Sequence, residues 1–382
     1  MKGQPEPSRM TNHRSRSGTA SRISVLLDAS QLTGQSAFSG IGTYVRNLLD
    51  GLVRYSQLEV RALATPDAQL PVGVIQVPTR RWYRQGRIGV CENEVKRTLE
   101  VRLNRPRVFH NPNPHAPLLP PGRWVQTLHD VIPLVSNDPI MEPLRRRFER
   151  FGPRYASADA VIAISHHAAS EGMRLLGIPS GKIRVIYHGV PPEFVPASDG
   201  PQSDPPYVTV VSEYSSRKGF FEAFEVIAEV AEAHLPHRLK VIGRVPSWEQ
   251  SNFAADLARA RRPDRIDVLG FVNNLPAIYR GATAHLITSH YEGFGFPAIE
   301  AMASGTPVVA YRNTALPEVV GTGGVLVPDG DVPAFTRALL PILRVRGLRE
   351  ELSRAALQQA ANFTWEESAR AHAEVFREVA LR

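Results

Sequence analysis

The stretch Ser289-His-Tyr-Glu292-Gly293-Phe294-Gly295-Phe296-Pro297-Ala-Ile-Glu300-Ala-Met-Ala-Ser-Gly305-Thr-Pro307-Val-Val-Ala310 decides how the rest of the chain is read. An apolar run over residues 284–289 predicts a strand feeding into it. The loop that follows, residues 290–296, holds two glycines, Gly293 and Gly295, which let backbone approach a ligand closely. Pro297 suits the first turn of a helix, where its missing N–H is no loss. Glu300 comes one helical turn later, Gly305 predicts the helix end, and residues 306–310 predict the next strand. This order puts Glu292 at a strand's carboxyl end and Glu300 near a helix start, both facing one crevice. Each carboxylate offers two acceptor oxygens, which suit sugar hydroxyls. Downstream, Thr314-Ala315-Leu316-Pro317-Glu318 predicts a short helix whose free N–H groups suit a diphosphate. Taken singly, Glu292 reads as a plain loop carboxylate and Glu300 as a helix N-terminal carboxylate favoured by the macrodipole. The ordered set carries the reading.

Outward from this stretch the chain alternates strand and helix, the mark of parallel-sheet architecture. Strand-like runs fall at residues 23–29, 59–64, 108–110, 124–128, 160–165 and 183–187, with helix-period segments at 43–55 and 166–176. Residues 191–206 contain six prolines and read as a linker. The alternation then restarts, with strands at 207–211, 239–242, 266–269, 285–288, 308–310 and 325–327 and helices at 221–234 and 250–261. Thr364-Trp-Glu-Glu367 has the spacing of a capping box and opens a final helix to about Ala380. The expectation is an α/β protein of two Rossmann-like domains, residues 23–190 and 207–363, facing across a cleft. Residues 364–382 would form a helix returning toward the first domain, and a ligand would sit in the cleft.

At 382 residues the chain is long enough for two domains. It holds no apolar run near the roughly 20 residues of a membrane span and no signal-peptide pattern. Cys91, the single cysteine, leaves no intramolecular disulfide and no Cys-rich zinc site. A reducing, cytoplasmic setting is expected, peripheral on the inner face of a membrane if any membrane is involved. The net charge of +8 is concentrated: residues 1–22, read as a disordered tail, carry +4, and residues 141–154 carry +3. Nucleic-acid binders spread basic residues along a groove with aromatic stacking partners, so nucleic acid is not expected as a partner. Arg145, Arg146, Arg147, Arg150 and Arg154 form either a solvated helix face or a contact for anionic lipid.

Residues 291–310 resemble the signature of the retaining, GT-B-fold glycosyltransferases of family 4, mannosyltransferase-like members included. The family's Glu-x7-Glu pair maps onto Glu292 and Glu300, with donor-sugar hydroxyls implied for the first and the nucleotide ribose for the second. Phe294, Gly295 and Phe296 fall within the same donor loop. Other blocks match in order. Gly40-Ile-Gly42-Thr-Tyr-Val-Arg-Asn-Leu resembles the family's glycine-rich loop beside the donor phosphates and acceptor. Thr127-Leu-His129-Asp130-Val-Ile-Pro resembles its His-Asp block at the reacting centre. Val211-Ser-Glu-Tyr-Ser-Ser-Arg217-Lys218-Gly219 resembles the block that binds the donor diphosphate. There Arg217 supplies a fork and Lys218 a compact charge. Read without that context, His129 is equally a structural histidine, the Arg-Lys pair a solvated helix start, and the glycine loop a plain turn. Ser212-Glu213 departs from the usual glycine-led turn and brings a carboxylate toward the phosphates. Asn313-Thr-Ala departs from a glycine-rich approach to the Glu318 helix.

The resemblance implies transfer of a hexosyl group from a nucleoside-diphosphate sugar to a hydroxyl, with retention and without a metal. No cofactor would be tightly bound. A front-face route needs no enzymatic nucleophile; Arg217, Lys218 and the turn at Thr314, Ala315 and Leu316 would stabilise charge growing on the leaving phosphate. The His-Asp-Val-Ile-Pro and Ser-Arg-Lys-Gly blocks look most like mannosyl- and rhamnosyltransferases, which points to GDP-mannose, with UDP-sugars the other donor class. The acceptor would be a glycan, a lipid-linked glycan or a small molecule. A sugar-nucleotide epimerase, a phosphorylase of the same fold, and a non-catalytic nucleotide-sugar-binding protein are the alternatives.

Overall fold

The computed structural model describes residues 22–79, 98–114, 122–136, 138, 141–196 and 203–382. Residues 1–21 of the expected tail, Cys91, and residues 197–202 of the expected linker lie outside them.

Among the described residues the first sheet contains β1 (Ile23–Asp28), β2 (Leu58–Ala64), β3 (Ile75–Pro78), β4 (Val108–Asn111), β5 (Trp124–Leu128), β6 (Ala160–Ala163) and β7 (Ile183–Val185). Their order is β3-β2-β1-β4-β5-β6-β7, with every pairing parallel. The second sheet contains β8 (Tyr207–Val211), β9 (Arg238–Ile242), β10 (Ile266–Gly270), β11 (Ala284–Ile287), β12 (Val308–Tyr311) and β13 (Gly324–Val327), also parallel, in the order β10-β9-β8-β11-β12-β13. The central strands read as unbroken apolar runs because helices cover both faces of a parallel sheet. Val25, Leu26 and Leu27 of β1 are fully buried in consequence. β3 was not foreseen in the sequence. It is a four-residue edge strand that exposes Ile75 and ends in Pro78, so neither length nor pattern marks it.

Strand order reverses at β1/β4 in the first sheet and at β8/β11 in the second, and ligand crevices form at such points, outside the carboxyl ends. Arg217 and Lys218 follow β8, and Glu292 follows its neighbour β11. Residues 74 apart in sequence are thereby placed side by side.

The glycine segment after β1 is not a loop. Gly40 and Gly42 form the first turn of the helix Gly40–Leu52, capped by Ser39, whose hydroxyl accepts from the Gly42 N–H at 3.1 Å. A β-carbon on Gly42 would lie 2.4 Å from the Ser36 carbonyl oxygen, so glycine there serves local packing. The helix packs on the last one, Trp365–Leu381, closely enough that a β-carbon on Gly51 would lie 2.6 Å from that of Ala369. The last helix thus completes the first domain's core: Trp365, Ala369, Phe376 and Val379 pack with Val25, Leu48 and Val108. Burial of Phe376 and Val379 contributes roughly 1.5–3 kcal/mol each. Only half of the expected capping box forms. Thr364 Oγ1 accepts from the Glu367 N–H at 3.2 Å, while the Glu367 carboxylate pairs with Arg370 instead of reaching back.

An apolar seam joins the domains, with Ala163, Ile164 and Ala168 packed against Phe294, Ala298 and Val319. Where the chain crosses twice, Val190 N–H donates to the Phe363 carbonyl at 2.9 Å. A β-carbon at Gly189 would lie 2.2 Å from the Trp365 nitrogen, so no side chain fits between the crossings.

Candidate active site

A cleft of about 910 Å³ opens at the carboxyl ends of both sheets. Of the residues expected at the site, Gly40, His129, Asp130, Arg217, Lys218, Glu292, Phe294, Gly295, Phe296 and Glu300 line it. Gly42, Thr314, Ala315 and Leu316 stand behind its walls. Ala315 and Leu316 are fully buried, and their amides are already used, by the Glu292 carbonyl at 3.4 Å and the Asn313 carbonyl at 3.0 Å. Thr314 adopts a left-handed backbone (φ 45°) and accepts from the Glu292 N–H at 3.0 Å. This turn braces the backbone of Glu292.

The second-domain wall is ionic. Lys218 Nζ donates to Glu292 Oε1 at 2.5 Å, with side chains only 10% and 11% exposed. Burial pushes the Glu292 carboxyl up, but the Lys218 and Arg217 charges outweigh it and hold it below its usual range. Arg217 donates from Nη1 to the Tyr291 carbonyl at 3.0 Å, and its buried Nε has no partner within the protein. Glu213, the unexpected carboxylate, is paired: Arg244 Nη2 donates to it at 3.1 Å. Asn313, the other departure, donates to the Ser289 carbonyl at 3.0 Å and to Asp329 at 2.7 Å. At the start of the 290–296 loop, His290 bridges two carboxylates, Glu222 at 2.7 Å and Asp329 at 2.9 Å, and stacks near Tyr311. The Glu222 contact, with Asp329 behind it, raises the His290 pKa to about 9 against the opposing effect of burial. Glu300 is half-buried and accepts from Tyr279 Oη at 3.4 Å; its surroundings push its carboxyl up to about 7, desolvation first.

The first-domain wall sets uncharged imidazoles beside the side chains of Asp130 and Asp138. His129 ends β5, and its Nε2–H donates to the Pro112 carbonyl at 2.6 Å, which leaves Nδ1 as the ring's acceptor. Burial lowers its pKa despite that carbonyl and Asp130, so the ring is uncharged at neutral pH. Asp130 accepts from the Ile132 N–H at 3.0 Å and turns the chain into the next helix. Behind His129 lies a buried cluster that periodicity did not reveal. Tyr44 Oη meets His372 Nε2 at 2.8 Å and Thr127 Oγ1 at 3.0 Å, and His110 Nε2 meets the same Thr127 at 2.8 Å. His188 lines the cleft and lies parallel to Phe296, with ring centroids 4.8 Å apart. The walls touch where a β-carbon on Gly293 would lie 2.5 Å from the His129 carbonyl oxygen.

Two facing Rossmann-like domains, with a cationic pocket at the second switch point, define the GT-B class of sugar-transferring proteins. Residues 193–359 match the family model for glycosyl transferases group 1, and residues 38–194 match that for glycosyltransferase family 4. The chain is 30% identical over 289 residues to a D-inositol 3-phosphate glycosyltransferase of Kribbella flavida, covering 68% of each. It is 27% identical over 276 residues to O-antigen chain mannosyltransferase B of Escherichia coli, covering 68% of this chain and 71% of that one. In fold it resembles sucrose-phosphate synthase from Thermosynechococcus elongatus (TM-score 0.76, 20% identity, 94% and 99% of the two chains). It also resembles Anabaena HepE in complex with UDP and glucose (TM-score 0.71, 16% identity, 94% and 100%). The chain belongs to the family 4, group 1 glycosyltransferases.

Among the described residues no helix is long and apolar enough to cross a membrane, and no three His, Cys, Asp or Glu side chains are grouped to hold a metal ion.

Proposed function

We propose that the protein transfers a hexosyl group from a nucleoside-diphosphate sugar, GDP-mannose foremost and UDP-sugars next, to a hydroxyl of a glycan or lipid-linked glycan. The transfer retains anomeric configuration and uses no metal. The observation that carries this reading is the buried Lys218–Glu292 pair beside Arg217, whose Nε has no protein partner. A diphosphate arriving there competes with Glu292 for Lys218 and supplies the acceptor that Arg217 lacks. Glu292, drawn off the ammonium, then has both oxygens for sugar hydroxyls. It holds the donor and does not act as an acid or base.

As the anomeric bond breaks, negative charge grows on the leaving phosphate and is met by Arg217 and Lys218, fixed in advance beyond the carboxyl end of a central strand. His129, uncharged, offers an acceptor to the sugar without adding a competing cation. Glu300 accepts from the ribose when ionised. The mannose preference draws on the mannosyltransferase relative and on the sequence blocks around His129 and Arg217.

Thermal denaturation across GDP, UDP and dTDP, followed by incubation with the matching sugars in the presence of EDTA, tests the reading. Stabilisation by one nucleotide, and an EDTA-insensitive product with the donor's anomeric configuration, are expected. An inverted product, or activity lost with EDTA and restored by a divalent ion, overturns the corresponding clause.

The basic helix Glu142–Phe151 supports peripheral contact with anionic lipid. Arg146 and Arg150 are exposed on it, and Leu144 is exposed beside them. Salt-sensitive co-sedimentation with anionic but not neutral vesicles is expected; equal binding to both removes that contact.

A further inference from the structure

Glu318 does none of the work assigned above, yet its contacts run from one domain to the other. It lies on the second-domain helix Leu316–Val320. Its carboxylate accepts from the backbone N–H groups of His166 at 2.8 Å and His167 at 3.0 Å, the first two residues of the first-domain helix His166–Leu176. The Tyr187 hydroxyl donates to the same carboxylate at 2.9 Å. One domain therefore supplies the anion for the other domain's helix start, where unpaired N–H groups and the helix dipole both favour negative charge.

The same helix start also grips the donor loop. Ser165 Oγ accepts from the Ala168 N–H at 3.0 Å and donates to the Gly293 carbonyl at 2.7 Å. Gly293 lies between Glu292 and Phe294, against the His129 backbone, with no room for a side chain. Glu318 and Ser165 are thus two ties from one helix end, the first to the body of the second domain and the second to its donor loop.

We infer that Glu318 is a positioning residue whose cap on the His166–Leu176 helix latches the two domains together and so sets Glu292 against His129. The latch rests on the donor reading given above. Donor contacts belong to the second domain, so loss of the latch leaves nucleotide affinity in place and removes the alignment needed for transfer. Misplacing reacting groups by about 1 Å costs up to about a hundredfold in rate.

The test combines steady-state transfer, calorimetric titration with the nucleoside diphosphate that stabilises the wild type, and small-angle X-ray scattering. For Glu318→Ala, kcat is expected to fall about tenfold or more, with nucleotide affinity within about twofold of wild type. Its radius of gyration should also exceed that of the wild type with nucleotide present. Glu318→Gln keeps the shape but loses the charge, and Tyr187→Phe removes one of three donors, so both should show smaller effects in the same direction. They carry the test if the alanine variant does not fold. An unchanged kcat with unchanged scattering overturns the latch, as does nucleotide affinity falling in step with kcat. If the wild type binds no nucleoside diphosphate, the donor reading fails by itself, and the scattering comparison still decides whether Glu318 holds the domains together.

Discussion

The two walls of the cleft are built from opposite materials. On the second domain, charges are paired to charges: Lys218 to Glu292, Arg244 to Glu213, and His290 between Glu222 and Asp329. On the first domain, His129 and His188 face the cleft with His110, His372 and Tyr44 behind them, and burial drives all four imidazoles toward the neutral form. A wall that carries fixed cations can bind and stabilise an anion, whereas a wall of uncharged imidazoles, with Asp130 and Asp138 beside them, can orient a sugar without drawing the phosphate away. On the function proposed above, the difference assigns charge handling to the second domain and sugar orientation to the first.

The sharpest way to break this division is at Glu292. Glu292→Ala leaves a buried ammonium uncompensated, which costs about 3–5 kcal/mol of stability. Turnover should fall by about 10²–10³-fold, the scale of one preorganised electrostatic contact. Pairing Glu292→Gln with Lys218→Met should restore the melting temperature but not transfer. If it restores both, the ion pair is scaffolding and the charged wall loses its role.

Next in size, Arg217→Lys should weaken nucleotide binding about 10–100-fold through loss of the guanidinium fork. His129→Gln, on the other wall, should lower kcat while leaving calorimetric nucleotide affinity unchanged. Equal loss of affinity in both variants would erase the contrast between the walls.

Glu300 gives a smaller, pH-dependent effect. Its folded pKa, about 7, lies above the ordinary carboxylate value, so the unfolded chain loses this proton first and stability falls as pH rises from about 4.5 to 7. Glu300→Gln removes that cost, and its melting temperature at pH 8 should exceed wild type by roughly 2–4 °C. Nucleoside binding should weaken in the same variant. A melting temperature at pH 8 no higher than wild type would contradict the assignment.

The smallest effect belongs to His290. Its pKa is raised to about 9, so its contribution is complete below about 6.5 and disappears as pH rises through 9. His290→Gln should flatten the melting curve's pH dependence between those values. Unchanged pH dependence would show that the bridge to Glu222 and Asp329 adds no stability.

Much of this was legible in the sequence because it is local. Strand and helix alternation, the glycines around Phe294 and the proline after Phe296 each act within a few residues, and the donor loop follows from them. The misreadings have local causes too. Ser39 caps a helix one turn earlier than the apolar pattern begins, so Gly40 and Gly42 looked like a loop. The partners of the Ala315 and Leu316 amides, Glu292 and Asn313, carry no sequence pattern, and the first is 23 residues away. Contacts between distant segments left no periodic trace: Tyr44 with His372 is separated by 328 positions, Glu318 with His166 by 152, and His290 with Glu222 by 68. The partner of Glu213 was hidden for the same reason, since Arg244 arrives from just beyond the next strand.

The last helix, Trp365–Leu381, has a consequence for how the chain is made. It supplies Trp365, Ala369 and Phe376 to the core around β1, so the first domain to leave the ribosome is the last to be finished. Domains generally fold in the order they are synthesised; here the second domain can close on itself while the first waits with an apolar face uncovered. Ribosomes stalled before Trp365 should therefore display a protease-resistant second half behind a sensitive first half, and resistance should spread to both only once residues 365–381 have emerged.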